Sequence, residues 1–293
     1  MYYIVYGFLR LLSFIPLPLL YLLGDFVYAL LFYVVGYRKQ VVMHNLSIAF
    51  PEKSEEERKK IMKAFYHNFC DTFMEMIKLF SWNKEEIKKR FTGNIEVLNE
   101  WVGKEQSVQV VSGHYFNWEI ANLGLGALSQ MPFVVVYMPL RNKEVNKVVY
   151  DLRGKTGTKL VSATDFQNQV REYMKQQYAL ILVGDQNPGN PAKAYWTNFF
   201  TKPAPFPRGP EQGAKRNNTA IVYVDFYKVK RGYYAFKMEL LTSDPNSFKE
   251  GELTRLIVDK IENSIHQRPA NYLWSHRRWK HEWKEDYRKM WIE

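Results

Sequence analysis

The chain contains one cysteine, Cys70, so no disulfide can close within it and no thiol pair is available for redox work. Its six histidines, at 44, 67, 114, 266, 276 and 281, fall in no His-x3-His or Cys/His spacing, which leaves no motif for a metal centre. A phosphate-binding P-loop, a Gly-x-Ser-x-Gly nucleophile elbow and an RNA-binding aromatic motif are all missing. Acidic side chains are the minority, 30 against 41 Lys and Arg, for a formal net charge of +11. That excess points to an anionic partner: acidic lipid headgroups, a phosphorylated glycolipid or an acidic carrier protein. Without a nucleic-acid motif it is not read as a nucleic-acid surface. No internal repeat or low-complexity tract interrupts the 293 residues, enough for one large α/β domain or two small ones.

Charge is also nearly missing from residues 1–37, where only Arg10 and Asp25 occur. Pro16 and Pro18 divide this stretch, and residues 19–36 would make about 27 Å of helix, just short of a bilayer's hydrocarbon core of roughly 30 Å. A cleaved signal peptide is the competing reading, but the charged leader and the small-x-small cleavage site are lacking. A buried soluble helix is a third. Residues 1–37 are read as an uncleaved anchor, spanning or only embedded, with Arg38, Lys39 and His44 favouring the cytoplasmic side of the membrane.

The remainder, residues 38–293, reads as one catalytic domain. In residues 55–80, Ile61, Phe65, Phe69, Phe73, Met76, Ile77 and Phe80 recur at helical spacing, with Cys70 a core filler beside that stripe. Residues 107–111, 133–137, 179–183, 219–227 and 233–241 read as strands; 118–128, 143–155, 165–177 and 253–267 read as helices. Strands alternating with helices argue for an α/β fold with a layered central sheet.

The chemistry concentrates at one strand–loop–helix corner. Val110-Val111-Ser112-Gly113 leads into His114-Tyr115-Phe116-Asn117-Trp118-Glu119, with Asn117 an N-cap and Glu119 in the first helical turn. Residues at i and i+5 of one helix point about 140° apart, so His114 and Glu119 converge only if the histidine precedes the helix. Such a corner suits a base that takes a proton from a hydroxyl while helix amides steady an oxyanion, with Glu119 orienting the imidazole. A hydrogen-bonded structural histidine is the alternative. Ser112 lies before the glycine, which argues against a serine acyl-enzyme.

Gly113-His114-Tyr115-Phe116-Asn117-Trp118-Glu119 resembles the Gly-His-x-Gly-Asn-Trp-Glu signature of the late acyltransferases of lipid A biosynthesis, a branch of the lysophospholipid acyltransferase superfamily with its His-x4-Asp/Glu motif. Asn45-Leu46-Ser47-Ile48-Ala49-Phe50-Pro51, Met138-Pro139-Leu140-Arg141-Asn142, Gly184-Asp185-Gln186-Asn187-Pro188-Gly189 and Phe199-Phe200 are similar to further elements of that family. So is Tyr272-Leu273-Trp274-Ser275-His276-Arg277-Arg278-Trp279-Lys280, and the elements stand in family order between residues 45 and 280. Phe116 and Thr201 replace usual glycines, and residues 203–211 are unusually rich in proline.

The resemblance implies a mixed central sheet flanked by helices, glycerol-phosphate acyltransferase-like, with an apolar groove for an acyl chain. It implies transfer from an acyl carrier protein or coenzyme A thioester, with no cofactor or metal, onto a hydroxyl of a lipid A precursor. His114 and Glu119 would be catalytic. Arg141 or Arg153 would meet phosphate, and Asn117, Asp185 and Gln186 would shape the substrate side. A lysophospholipid or acyl-amino-acid acceptor is the nearest alternative, and a catalytically silent membrane-surface binding protein the more distant one. Trp274, Trp279, Trp283 and Trp291, interleaved with Arg277, Arg278, Lys280, Lys284, Arg288 and Lys289, suggest a C-terminal segment at an anionic membrane surface, with Trp279 and Trp283 on one helical face.

Overall fold

The computed structural model describes residues 1–293. Two apolar helices come first, α1 (Tyr2–Leu12) and α2 (Leu17–Ala29), the latter continued by a π-helical turn over Leu30–Val35. Helices α3 (Lys39–Ala49), α4 (Glu55–Leu79) and α5 (Lys84–Arg90) follow. Helix α4 starts where Ser54 and Glu57 cap each other's amides, a reciprocal capping box that fixes its first turn.

Next come β1 (Phe91–Gly93), α6 (Glu96–Asn99), β2 (Val108–Ser112), α7 (Trp118–Leu128), β3 (Phe133–Tyr137), α8 (Lys143–Arg153), β4 (Lys159–Ser162), α9 (Phe166–Tyr173) and β5 (Ala179–Val183). A hairpin of β6 (Tyr195–Phe199) and β7 (Lys202–Phe206) precedes α10 (Gly209–Asn217), β8 (Ala220–Lys230), β9 (Tyr233–Thr242) and α11 (Glu252–Gln267). The seven-stranded sheet runs β1-β9-β8-β2-β5-β3-β4, and the β8–β9 pair is antiparallel, so the sheet is mixed, as expected.

Connection direction decides which helices share a face. The steps from β2 to β3 and from β3 to β4 go one way along the sheet; those from β4 to β5 and from β5 to β8 come back. Right-handed crossovers therefore put α7 and α8 on one face and α9 and α10 on the other. The packing agrees: Phe133, Val148 and Leu152 belong to the main core, while Val134, Val170 and Leu180 form a separate cluster under α9.

The N-terminal helices lie on the α7/α8 face. Helix α2 runs antiparallel along α4, with Gly24 closing on Met74 and Asp71 and Tyr28 stacked on His67 at 3.6 Å. Helix α1 lies against α8, where the Tyr2 hydroxyl donates to Asp151 at 2.6 Å. The opposite side of both helices is apolar and exposed, including Ile4, Phe8, Leu22, Phe26 and Val34. Cys70 is buried in α4, and burial pushes its thiol up to about 11, which leaves it inert as expected.

Two expectations fail. The segment around Trp279 and Trp283 forms no α-helix, only turns and irregular chain before a 3-10 helix over Glu285–Met290. Its tryptophans pack on the body: Trp274 is fully buried, Trp279 stacks on Phe199 at 5.7 Å and Trp283 meets Trp196 at 5.4 Å. Of the basic residues, Arg277, Lys280, Lys284, Arg288 and Lys289 face outward there, beside exposed Glu282, Glu285 and Asp286, while Arg278 is buried. The hairpin they cover was hidden in the sequence because Pro203 and Pro205 mark β7 as a poor strand, tolerated in a two-stranded ribbon outside the main sheet.

One buried carboxylate ties the layers together. Glu75 of α4 accepts from the Tyr21 hydroxyl (2.9 Å), the Tyr234 hydroxyl (2.6 Å), the Gly232 amide (2.9 Å) and the Asn117 amide group (3.1 Å). Glu75→Ala would leave these buried donors without an acceptor, at about 1–3 kcal/mol each before relaxation. Urea unfolding in detergent is expected to show a loss of about 3 kcal/mol or more, with Glu75→Gln in between. A loss under about 1 kcal/mol would contradict the hub.

Candidate active site

Strand register creates the site. In the parallel β2–β5 pair, Ser112 stands opposite Val183, so His114 and Asp185 each lie two residues beyond paired positions on adjacent strands. The His114 ring meets Asp185 with Nδ1 and Oδ1 2.5 Å apart, and the His114 backbone N–H donates to Oδ2 at 3.2 Å. Asp185 is fully buried. Burial alone would raise its pKa, but the charge and hydrogen bonds of His114, helped by the Tyr272 hydroxyl, bring it down to about 2. An ionised carboxylate only accepts, so the Nδ1 proton is directed at Asp185, and Nε2 is the ring nitrogen the carboxylate does not engage.

Glu119, expected to orient this imidazole, does not touch it. Helix α7 begins at Trp118, with the Asn117 side chain accepting from the amides of Glu119 (3.0 Å) and Ile120 (3.3 Å). This start turns Glu119 toward the end of α8, where it is clasped by Arg153, Nε to Oε2 at 2.9 Å and Nη2 to Oε1 at 2.5 Å. The Trp118 indole adds a third donor to the carboxylate at 3.1 Å. Asn117 is fully buried and engaged as cap and as donor to Glu75, so it does not face substrate, and the helix amides expected to steady an oxyanion are already capped. Arg141 is exposed on the loop after β3 and makes no hydrogen bond or ion pair with the cluster; Gln186 is half-buried beside Asp185 and makes none either.

The C-terminal signature completes the corner. Phe116 N–H donates to the Asn271 carbonyl (2.9 Å) and Leu273 N–H to the His114 carbonyl (3.0 Å), laying residues 271–273 beside the loop. Asn45 of α3 donates to the carbonyls of Trp274 and His276, both at 2.7 Å. His276 accepts the Asn187 amide through Nε2 at 3.3 Å, and burial lowers its pKa to about 4. Arg278, almost wholly buried, donates to Asn187 Oδ1 (3.2 Å) and the Pro205 carbonyl (2.9 Å) and lies over Phe206; burial brings it down to about 10. These residues hold the loop that carries Asp185. They were visible as a motif, but their target lies about ninety positions away in the chain.

The departures from the family pattern also have partners. Phe116 is buried among Phe65, Phe69 and Trp118, and the Thr201 hydroxyl donates to the Ile48 carbonyl at 2.7 Å. From His114 a cavity of about 970 Å³ runs beneath the sheet between α9 and α10. No group of three or more metal-ligating side chains gathers anywhere in the chain.

An imidazole held by a buried carboxylate at the carboxyl edge of an α/β sheet is an arrangement suited to proton abstraction. The chain matches the bacterial lipid A biosynthesis acyltransferases over residues 1–281 and belongs to that family; it is an acyltransferase. It is 22% identical to a lipid A biosynthesis palmitoleoyltransferase of Escherichia coli over 91% of this chain and 86% of that one. It is 24% identical to a lipid A biosynthesis lauroyltransferase of the same organism, over 94% and 89%. Among solved structures it is similar to a 1-acyl-sn-glycerophosphate acyltransferase of Thermotoga maritima, with a TM-score of 0.40 at 15% identity, over 87% and 98% of the two chains.

The low pKa of His276 has a signed consequence. Its neutral form stabilises the native chain in full above the unfolded value near 6.5, and that contribution falls as pH drops from about 6.5 toward 4. Between pH 7 and 4, the melting temperature is expected to fall further for the unmodified protein than for His276→Gln. Parallel losses would contradict the assignment.

Proposed function

We propose that this acyltransferase moves a fatty acyl chain from a phosphopantetheine thioester, that of acyl carrier protein foremost, onto a hydroxyl of a lipid A precursor. The observation that carries the mechanism is the ionised, buried Asp185 on His114 Nδ1. His114 Nε2 takes the proton of the acceptor hydroxyl as its oxygen attacks the thioester carbonyl. The C–O bond forms, the tetrahedral intermediate collapses, the C–S bond breaks, and the imidazolium returns the proton to the leaving thiolate. Asp185 stabilises the imidazolium without taking the proton.

Glu119 then has a different part from the one its spacing suggests: it aims Arg153. Two guanidinium nitrogens hold Glu119, and Nη1 has no protein partner, leaving it for a phosphate of the acceptor. The names of relatives at 22–24% identity, both lipid A biosynthesis acyltransferases, support a lipid A precursor as the acceptor.

Helix α2 together with its π-helical continuation, Leu17–Val35, is long and apolar enough to cross a membrane. Its antiparallel seat along α4 argues for lying in one leaflet instead. Asp25, midway along it, is paired to Arg231, which also binds Asp71 at 3.0 Å, so a crossing helix would carry this cluster into hydrocarbon. The exposed aliphatic and aromatic faces of α1 and α2 would sink into the interface, with the catalytic domain on the cytoplasmic side of the inner membrane.

Two experiments test these proposals. A mass-spectrometric product assay offers an acylated disaccharide precursor, a lysophospholipid and an acyl-glycine in parallel. One added acyl mass on the disaccharide is expected, abolished in His114→Ala, reduced about a thousandfold in Asp185→Asn, and reduced far less in Glu119→Gln. Equal turnover by His114→Ala would sink the mechanism. For topology, single cysteines at Leu19 and Val35 are expected to react with an impermeant maleimide from the same side of the membrane; labelling from opposite sides would show a span.

A further inference from the structure

We infer that the cavity between α9 and α10 is the donor site: it receives the phosphopantetheine arm of the acyl thioester, with Arg171 and Arg216 on its phosphodiester. This rests on the acyl-transfer reading above. The first support is placement. The cavity opens at His114 but lies on the sheet face opposite α7 and α8, and so away from α1 and α2. A water-soluble donor approaches from that side, while a lipid acceptor comes from the other.

The second support is the lining, which mixes Phe166, Val170 and Leu182 with amide and hydroxyl side chains. Thr219, 2% exposed at the far end, has a buried hydroxyl without a partner. Gln109, also 2% exposed, donates to the Pro210 carbonyl at 2.9 Å and keeps its own carbonyl free. Gln109 is level with Leu180 and Thr219 with Tyr178, at or beyond the depth the arm's phosphate reaches; a hydrated phosphodiester leaves both groups in water there, whereas a hydrocarbon chain would leave them unpaired in a dry groove.

Charge and length complete the match. Arg171 near the end of α9 and Arg216 near the end of α10 stand one on each wall; both are exposed, and neither forms an ion pair. The floor from Gly184 back to Tyr178 follows β5 for about 20 Å at roughly 3.3 Å per residue. An extended arm of about thirteen bonds from sulfur to phosphorus, each advancing about 1.25 Å, reaches roughly 16 Å. Sulfur at His114 therefore puts phosphate between the two arginines. The acyl chain leaves the other way, past exposed Val183 toward Met138 and Leu140 at the strand ends.

The test uses full-length protein in detergent with three donors: acyl carrier protein thioester, acyl-coenzyme A and S-acyl-pantetheine, which lacks the phosphate. Joint substitution Arg171→Glu and Arg216→Glu is expected to raise KM for both phosphate-bearing donors at least about tenfold more than for S-acyl-pantetheine. Equal changes for all three would overturn the phosphate assignment. A rise confined to the carrier protein would place the arginines on that protein's surface and overturn the arm assignment. The donor with the lower KM in the unmodified protein identifies the source of the arm. Better use of longer acyl chains by Thr219→Val would show hydrocarbon in the groove and overturn the arm assignment. Binding of unreactive desulfo-coenzyme A separates this inference from the acyl-transfer reading. Binding that the paired substitution weakens at least about tenfold supports the groove whatever the turnover, and no binding by unmodified protein defeats it.

Discussion

The contact on which the site depends is between a buried carboxylate and an imidazole, Asp185 and His114. A carboxylate with no exposure survives inside a protein only if other groups replace water around it. Here the imidazole, its own backbone amide and the Tyr272 hydroxyl do so, and in exchange the imidazole loses its choice of tautomer. The pair exists because β2 and β5 are parallel neighbours in a register that brings positions 114 and 185 to the same height. The loop holding Asp185 is then clamped by Asn187, through His276 and Arg278, to the C-terminal segment. Conserving the corner's geometry therefore requires the strand order, the clamp and the long return of the chain together.

A second network joins this corner to the N-terminal helices. Asn117 caps α7 with one end of its amide and donates to Glu75 with the other, and Glu75 also holds Tyr21 of α2. The apolar N-terminal helices are consequently part of the folded body, connected to the catalytic loop through two buried side chains. Asp25, Arg231 and Asp71 reinforce the same seat through charge. The exposed apolar helices and the His114 corner are thus held in one body.

Much of this could be read locally. The helix after the corner spans Trp118–Leu128, the strands Phe133–Tyr137 and Ala179–Val183 fall where β-branched runs placed them, and Asn117 caps as its residue type suggests. Periodicity and capping are properties of neighbouring residues, so a sequence displays them. Partnership across the sheet is not. Glu119 looked like the histidine's carboxylate because it is near in sequence; Asp185 won because pairing between strands brings it near in space. The same limit hid the burial of the C-terminal tryptophans, whose spacing beside basic residues suited a membrane surface until the β6–β7 hairpin supplied aromatic partners. It also hid the cavity beneath β5, whose walls come from α9 and α10.

The most direct test of the account is the tautomer of His114, read from nitrogen chemical shifts of histidine-labelled protein. The account requires a protonated Nδ1 and a bare Nε2 in the unmodified protein, unchanged in Glu119→Gln and lost to a mixture in Asp185→Asn. A spectrum in which Glu119→Gln disturbs the ring and Asp185→Asn does not would return the orienting role to Glu119 and contradict the site described here.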